Sequence, residues 1–350
     1  MLNKDIKKIL FFGGTFDPVH LGHTRLLKEG IRKIKPDITL VMPNKCPPLK
    51  DNETLATTHD RMEMLKIAFK NIPNLIISDR EIRDNTNEPS YTYLTILWLR
   101  KKYPNAKIYL LVGYDRLKDI KYWKNYKFIL AYTTLVAGIR ASNQEIPESK
   151  DYIILNYKPL EISGTRLREW LEPKYLDSNV LKYIRQHYLY LSAQIRPLMN
   201  EHRYQHTLRV RDVALKIADS NHYEFWNKVI AAAMYHDICK QWSEKEILKV
   251  CKQYDKHIYP TWHTLHGLAA SIVIQDKFYV RDREIINAVK NHVIPNGTID
   301  RLSKIIYLAD KLEPNRTEQD IPNRKKYLKL ACKNLDKAFD EVFKLTQEKY

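Results

Sequence analysis

The sequence predicts two domains: an α/β, Rossmann-like domain built on a parallel sheet, then an all-α domain. Three observations carry this. Apolar strand-like runs alternate with helical stretches as far as residue 155, the pattern of successive βα units. From Gln194 onward the apolar period is helical throughout. The 350 residues suffice for two domains of ordinary size.

The elements follow in order. Residues 8–14 form a buried strand that enters a glycine turn, and Leu21 to Ile34 a helix with Leu26, Leu27 and Ile31 on one face. Ile38 to Met42 is a strand ending at Pro43; His59 to Phe69 is a helix and Leu75 to Ser78 a strand. Tyr93 to Tyr103 is helical, and Lys107 to Val112 is a strand running into Gly113. Thr133 to Gly138 and Tyr152 to Leu155 are short strands. Pro173 breaks the chain before a short helix over Val180 to Tyr188. Helical periodicity then runs through Val210, Val213 and Ile217, Val229 to Met234, Leu268 to Ile274, Ile285 to Val289 and Ile305 to Leu308. The boundary falls near residues 190–196, which divides the chain into 1–192 and 193–350.

Composition narrows the class. No apolar run is long enough to span a bilayer, and Met1-Leu2-Asn3-Lys4 does not open a signal peptide, so a cytoplasmic location without membrane attachment is expected. The four cysteines, Cys46, Cys239, Cys251 and Cys332, form no C-x-x-C pair and read as reduced thiols. The net charge of +18 is spread along the chain without a compact basic block. It suits attraction of small polyanions, and no specific nucleic acid is expected as a partner.

The first candidate site is the run Phe12-Gly13-Gly14-Thr15-Phe16-Asp17-Pro18-Val19-His20-Leu21-Gly22-His23. A strand that ends in two glycines and leads into a helix gathers backbone N–H groups at a helix N-terminus, which is an anion site. His20 and His23, at i and i+3, can face one point and donate hydrogen bonds to phosphate oxygens as charge shifts in a transition state.

This run resembles the nucleotidyltransferase superfamily with the (H/T)-x-G-H motif. Ile162-Ser163-Gly164-Thr165-Arg166-Leu167-Arg168 is similar to its I-S-S-T-x-I-R motif, with Gly164 in place of the second Ser. Within it, Pro89-Ser90-Tyr91-Thr92-Tyr93-Leu94-Thr95, Gly113-Tyr114-Asp115-Arg116-Leu117 with Trp123, and His59-Asp60-Arg61-Met62 resemble bacterial nicotinate mononucleotide adenylyltransferase over residues 8–185. The resemblance implies that ATP is held by Gly13, Gly14, Thr15, Phe16, His20, His23, Gly113, Asp115, Ser163, Thr165 and Arg168. It implies that nicotinate mononucleotide is held by Lys50, Ser90, Tyr91, Thr92 and Trp123. His20, His23 and Arg168 would be the catalytic residues, with Mg²⁺ bridging the phosphates. Where that family carries Pro-Pro-His-Lys, this chain has Pro47-Pro48-Leu49-Lys50, which removes one histidine. Trp123 offers a flat face for a pyridine ring, and a guanidinium at Arg168 can hold phosphate oxygens bidentately. The acceptor phosphate is already ionised near neutral pH, so in-line attack on the α-phosphorus needs positioning and charge stabilisation, with no general base.

The second candidate site comprises His206, the pair His236-Asp237, His266, His292 and Asp310, each on or beside an apolar helical stripe. A carboxylate on a buried face is costly unless paired or bound to metal. Six such residues on separate helices favour a metal centre. His206-x-x-x-Val210, His236-Asp237-Ile238-x-Lys240, His266-Gly267 and Ala309-Asp310-Lys311-x-Glu313-Pro314-x-Arg316 resemble the HD phosphohydrolase superfamily, in its symmetrical dinucleoside tetraphosphate hydrolase branch, over residues 196–340. The resemblance implies a dinuclear divalent centre, often iron, with these six residues as ligands and Asp237 bridging. It also implies Asp237 and Lys240 as catalytic groups and cleavage of diadenosine tetraphosphate to two ADP. His292 is followed by Val-Ile-Pro-Asn-Gly where that family has a shorter turn. His202 and His263, one turn from ligands, are expected in supporting or surface positions. Open alternatives are nicotinamide mononucleotide as acceptor and a regulatory or differently specific HD domain. The sequence leaves the oligomeric state undetermined.

Overall fold

The computed structural model describes residues 6–45, 56–83, 90–113, 117, 119–138, 152–158, 160–297 and 299–347. It divides into two compact units, Met1–Tyr183 and Ile184–Tyr350. The division falls ahead of residue 192 because the intervening segment packs with the helical unit. Tyr188 and Leu191 lie against its core, and Arg185 Nη1 donates to the Lys277 carbonyl at 2.6 Å.

In the first unit the elements run β1 (Lys8–Gly14), α1 (Leu21–Ile34), β2 (Ile38–Pro43), α2 (Thr58–Phe69), β3 (Leu75–Ile77), α3 (Arg80–Arg83), α4 (Thr92–Lys102) and β4 (Lys107–Gly113). A 3-10 turn, Ile120–Tyr122, leads to α5 (Tyr126–Tyr132), then β5 (Thr134–Gly138), β6 (Tyr152–Leu155) and α6 (Gly164–Glu169), and α7 (Ser178–Gln186) runs across the division after Tyr183. The sheet order is β3-β2-β1-β4-β5-β6, with every pair parallel. Ile9, Leu10, Phe11 and Phe12 are buried on both faces of β1, which is why that stretch is continuously apolar rather than alternating. The chain leaves β1 toward β2 and β3, then returns to place β4 on the other side. The C-terminal ends of β1 and β4 therefore flank the point where the winding reverses, where such sheets open a ligand crevice. Short helices α3, α5 and α6 are additions to the sequence expectation; four to seven residues carry too little periodicity to register.

The second unit is helical among its described residues: α8 (Leu191–Ile195), α9 (Glu201–Ser220), α10 (Trp226–Tyr235), α11 (Glu244–Val250), α12 (His266–Lys277), α13 (Arg283–Asn291), α14 (Arg301–Leu312), α15 (Arg324–Ala331) and α16 (Leu335–Gln347). Side-chain caps set several starts. Asn200 accepts from the Arg203 amide, Asp282 from the Glu284 and Ile285 amides, Asp300 from the Ser303 amide, and Ser243 forms a capping box with Glu246. α9 buries Tyr204, His206, Val210, Val213, Ala214 and Ile217 at helical spacing, and Ala231, Ala232 and Ala233 let neighbours approach α10 closely. No helix among the described residues is long and apolar enough to cross a membrane.

Candidate functional sites

A cavity of about 570 Å³ opens at the C-terminal ends of the strands, lined by Gly13, Gly14, Gly113 and Gly138 from three of them. It also brings together Thr15, Phe16, His20, His23, Ser90, Tyr91, Thr92, Trp123, Ser163 and Arg168. The sequence-predicted residues therefore converge, with three exceptions. Lys50 and Asp115 lie outside the described residues, as do Cys46, Leu49 and the Pro47-Pro48 pair, and Thr165 is exposed beside the cavity.

His20 is the extended N-cap residue of α1, and its backbone amide donates to His23 Nδ1 at 3.2 Å. The two rings stack with centroids 3.7 Å apart, and Phe16 meets His23 edge-on at 5.1 Å. Gly22 is required by this stack: a Cβ there would stand 2.9 Å from His20 Nδ1. Phe16 takes a left-handed φ of 51°, which turns the chain between the glycines and the helix.

Arg168 Nη1 donates to the Asp17 carbonyl at 2.7 Å and Nη2 to Thr165 Oγ1 at 3.2 Å, so the guanidinium is anchored beside the glycine turn. Arg166 turns away to pair with Glu172. The Gly164 departure has a local cause: a Cβ at that position would stand 3.1 Å from the Asp17 carbonyl oxygen, so glycine lets α6 approach the turn. Ser163 is the N-cap of α6 and accepts from the Arg166 amide.

Three participants escaped the sequence reading. Arg61, fully buried, donates from Nη1 to the carbonyls of Thr15 and Asn44, both at 2.8 Å, and so ties the loops after β1 and β2 together. Glu81 lines the cavity and accepts from Thr95 Oγ1 at 2.6 Å; burial pushes its carboxyl up. Lys124 lines it beside Trp123. Arg61 lay in a quoted motif, but its fully buried position is a tertiary fact.

In the second unit Asp237, 3% exposed, sits among four imidazoles. Its Oδ2 faces Nε2 of His206 (3.6 Å) and His236 (3.4 Å), while its Oδ1 faces Nε2 of His266 (3.3 Å) and His292 (3.4 Å). Asp310 Oδ1 lies 3.2 Å from His206 Nε2. Two triads, His206 with His236 and Asp310, and His236 with Asp237 and His292, have ligand atoms within 4.8 Å of one another. All six predicted ligands converge here.

The outer nitrogens explain the orientation. Nδ1 of His236, His266 and His292 faces the backbone carbonyl three residues earlier, of Ala233, His263 and Val289, at 2.6, 2.7 and 2.7 Å. These carbonyls hold the proton on Nδ1 and leave the Nε2 lone pair toward the centre. His206 differs: its Nδ1 faces Glu313 Oε1 at 3.2 Å, and Glu313 also accepts from Arg209 Nε and the Asn315 amide. Nε2 of His206, His236 and His292 is buried and points at the carboxylate oxygens of Asp237 and Asp310, 3.2 to 3.6 Å away. Lone pairs and carboxylates converging on buried space fit divalent cations. Burial alone would raise the Asp237 carboxyl, but the charge and hydrogen bonds of the surrounding imidazoles hold it well below the usual carboxylate range. Burial pushes His292 down to about 4 and lowers His266 too. Burial also opposes a charge on His206, yet hydrogen bonds to Asp310 and Glu313 outweigh it and raise that group.

Cations ring the centre. Arg203 Nη1 donates to Asp237 Oδ2 at 2.7 Å, Arg316 Nη2 to Asp310 Oδ1 at 2.6 Å and Lys311 Nζ to Asp310 Oδ2 at 2.9 Å. Lys240 is exposed, with its amide bonded to the Asp237 carbonyl. Arg203 was not recognised in the sequence; Glu313 and Arg316 lay in a quoted motif without a role. His263 contributes its carbonyl to His266 and stacks on Trp262, and His202 is exposed.

Residues 11–170 match the cytidylyltransferase-like family and residues 203–315 the HD domain. A relative in Mycoplasma genitalium named "Probable nicotinate-nucleotide adenylyltransferase/Ap4A hydrolase" is 32% identical over 348 residues, which cover 97% of this chain and 98% of that protein. The nicotinate-nucleotide adenylyltransferase of Bacillus subtilis is 30% identical over 192 residues, 53% of this chain and all of that protein. A crystal structure of a predicted HD superfamily hydrolase involved in NAD metabolism from Clostridium acetobutylicum is 28% identical, covers 45% of this chain and 86% of that one, and has a TM-score of 0.41.

Proposed function

The chain belongs to the two-domain family of nicotinate-nucleotide adenylyltransferase/Ap4A hydrolases, and from that premise we propose that each unit carries one of the two activities, in the cytoplasm. Residues 1–192 transfer AMP from ATP to nicotinate mononucleotide. Residues 193–350 hydrolyse diadenosine tetraphosphate to two ADP.

In the first reaction an oxygen of the mononucleotide phosphate forms a bond to the α-phosphorus of ATP. The bond from that phosphorus to the bridging oxygen breaks, and pyrophosphate leaves with the electron pair, giving deamido-NAD. The amides of Gly13 to Phe16, with Gly113 and Asp115, seat the nucleotide. His20, His23, Ser163 and Arg168 would face the phosphates and donate to the charge that develops on the leaving group, with Thr165 beside them accepting from Arg168. Mg²⁺ accompanies ATP and supplies neutralising charge. Lys50, Ser90, Tyr91, Thr92 and Trp123 hold the acceptor.

In the second reaction one water adds to an inner phosphorus and the bond to the central bridging oxygen breaks, so both products are ADP. His206, His236, Asp237 and Asp310 would hold one divalent ion, and Asp237, His266 and His292 a second, with Asp237 shared. A pair of such ions, iron on this reading, would supply Lewis-acid activation of water and neutralising charge. Arg203, Lys240, Lys311 and Arg316 present positive charge to the four phosphates.

The observation that carries the reading is the separation of chemistries: stacked histidines with an anchored arginine in the strand-end cavity, and a carboxylate dividing four imidazoles two and two in the helical unit. Purified protein is assayed with ATP plus each pyridine mononucleotide, and with diadenosine tetraphosphate plus Fe²⁺ or Mn²⁺. His20→Ala abolishes the first activity and spares the second, and Asp237→Ala does the reverse. Loss of both from one substitution in a folded protein refutes two independent sites.

A further inference from the structure

Among the described residues the cavity of the first unit has two lysine or arginine side chains on its wall, Arg168 and Lys124. Their surroundings differ. Arg168 is tied to Asp17 and Thr165 beside the glycine turn. Lys124 follows Trp123, and its Nζ stands 4.3 Å from the ring centroid of Tyr91. Tyr91 is the N-cap of α4, makes no side-chain cap there, and is followed by a first turn without acidic residues. The amides of that turn and the Lys124 ammonium therefore present donors and positive charge together. The indole Nε1 of Trp123, another donor, is buried without a partner.

The one carboxylate on this wall among the described residues that could oppose them is Glu81, since Asp17 belongs to the glycine turn. Glu81 Oε1 accepts from the Thr95 hydroxyl at 2.6 Å, so that carboxylate is already engaged away from Lys124, and burial raises its carboxyl. The corner between Trp123 and Tyr91 is a set of donors around an aromatic plane. Such a corner suits a flat ring that carries an anionic, acceptor-only substituent. A carboxamide carries no charge and has one acceptor oxygen, so in a corner of several donors its NH₂ is left facing a group that can only donate.

We propose that Lys124 is the residue by which this chain distinguishes a pyridine nucleotide bearing a carboxylate from one bearing a carboxamide. The proposal rests on the adenylyl-transfer reading of the first unit. Lys124 acts by direct charge-assisted contact with the substituent, while Trp123 supplies the stacking face, which is indifferent to charge. Because Lys124 is exposed, its effect is screened by salt.

The test is steady-state pyrophosphate release by the full chain with ATP and either nicotinate or nicotinamide mononucleotide, for the unaltered protein, Lys124→Met and Lys124→Arg. Lys124→Met lowers kcat/KM for the carboxylate nucleotide about 10-fold, mainly through KM, and leaves the carboxamide nucleotide and the KM for ATP nearly unchanged. Lys124→Arg restores most of the loss. Preference for the carboxylate falls with added KCl in the unaltered protein but not in Lys124→Met. An unchanged carboxylate-to-carboxamide ratio in Lys124→Met overturns the role of Lys124 while leaving adenylyl transfer standing. Unaltered protein that turns over neither mononucleotide overturns the transferase reading, and this inference with it.

Discussion

Replacing Glu313 with Gln should weaken one metal position and spare the other. Three of the four ligand imidazoles are backed by backbone carbonyls, which no side-chain substitution removes. His206 alone is backed by a carboxylate, 3% exposed, which also holds Arg209 at 2.8 Å and the Asn315 amide at 2.9 Å. A carboxylate behind an imidazole raises its basicity and fixes its ring, and loss of such a partner typically costs 10–100-fold in metal affinity. That range corresponds to about 1.4–2.7 kcal/mol. The glutamine keeps one acceptor oxygen for His206, but its NH₂ then faces the donors of Arg209 and the Asn315 amide, so the upper half of the range is expected. The assay is chelator competition followed by metal analysis, read as two successive release steps in the unaltered protein. In Glu313→Gln the step assigned to His206, His236 and Asp310 moves to lower chelator concentration, and the step assigned to His266 and His292 does not. Equal weakening of both steps, or of neither, refutes the outer-ligand reasoning. Circular dichroism of the metal-free variant separates this from unfolding.

Two further outcomes follow from the geometry. Gly22→Ala places a methyl 2.9 Å from His20 Nδ1 and should displace the stacked ring, lowering kcat for adenylyl transfer about 100-fold while the melting temperature changes little; unchanged kcat would show that the ring stack is not needed. In metal-free protein His292, pushed down from 6.5 to about 4, remains neutral where the unfolded chain is protonated. Below pH 6.5 the unfolded state binds the extra proton, so stability falls as pH drops toward 4, by about 3 kcal/mol from this group. Urea midpoints across that range check the slope, and ring NMR of His292 showing protonation near pH 6.5 would contradict it.

Much of each site was legible because its signals are local. A strand that ends in two glycines before a helix reads as an anion site from neighbouring residues alone, since backbone amides and the i, i+3 histidines are positioned by the chain's own geometry. The six candidate metal ligands stood out because charged or imidazole groups occupied apolar stripes. Glu81 and Lys124 carried no such mark. An acid before a short helix and a lysine after a tryptophan look like ordinary surface residues until the fold turns them onto one wall. Arg166 and Arg168 were indistinguishable by spacing; the turn of α6 sends one to Glu172 and the other to Asp17.

The sequence by itself determined the fold class and, through its motifs, the two kinds of chemistry, and it singled out residues that the fold gathers at each candidate site, because strand and helix periods and short motifs are dictated by neighbouring residues. Only the tertiary structure decided the pairings. Arg168 meets Asp17 across 151 positions and His206 meets Glu313 across 107. The two oxygens of Asp237 each take a pair of imidazoles because separately capped helices pack around one buried point. Such partners are chosen by side-chain packing between elements, and no local spacing encodes that choice.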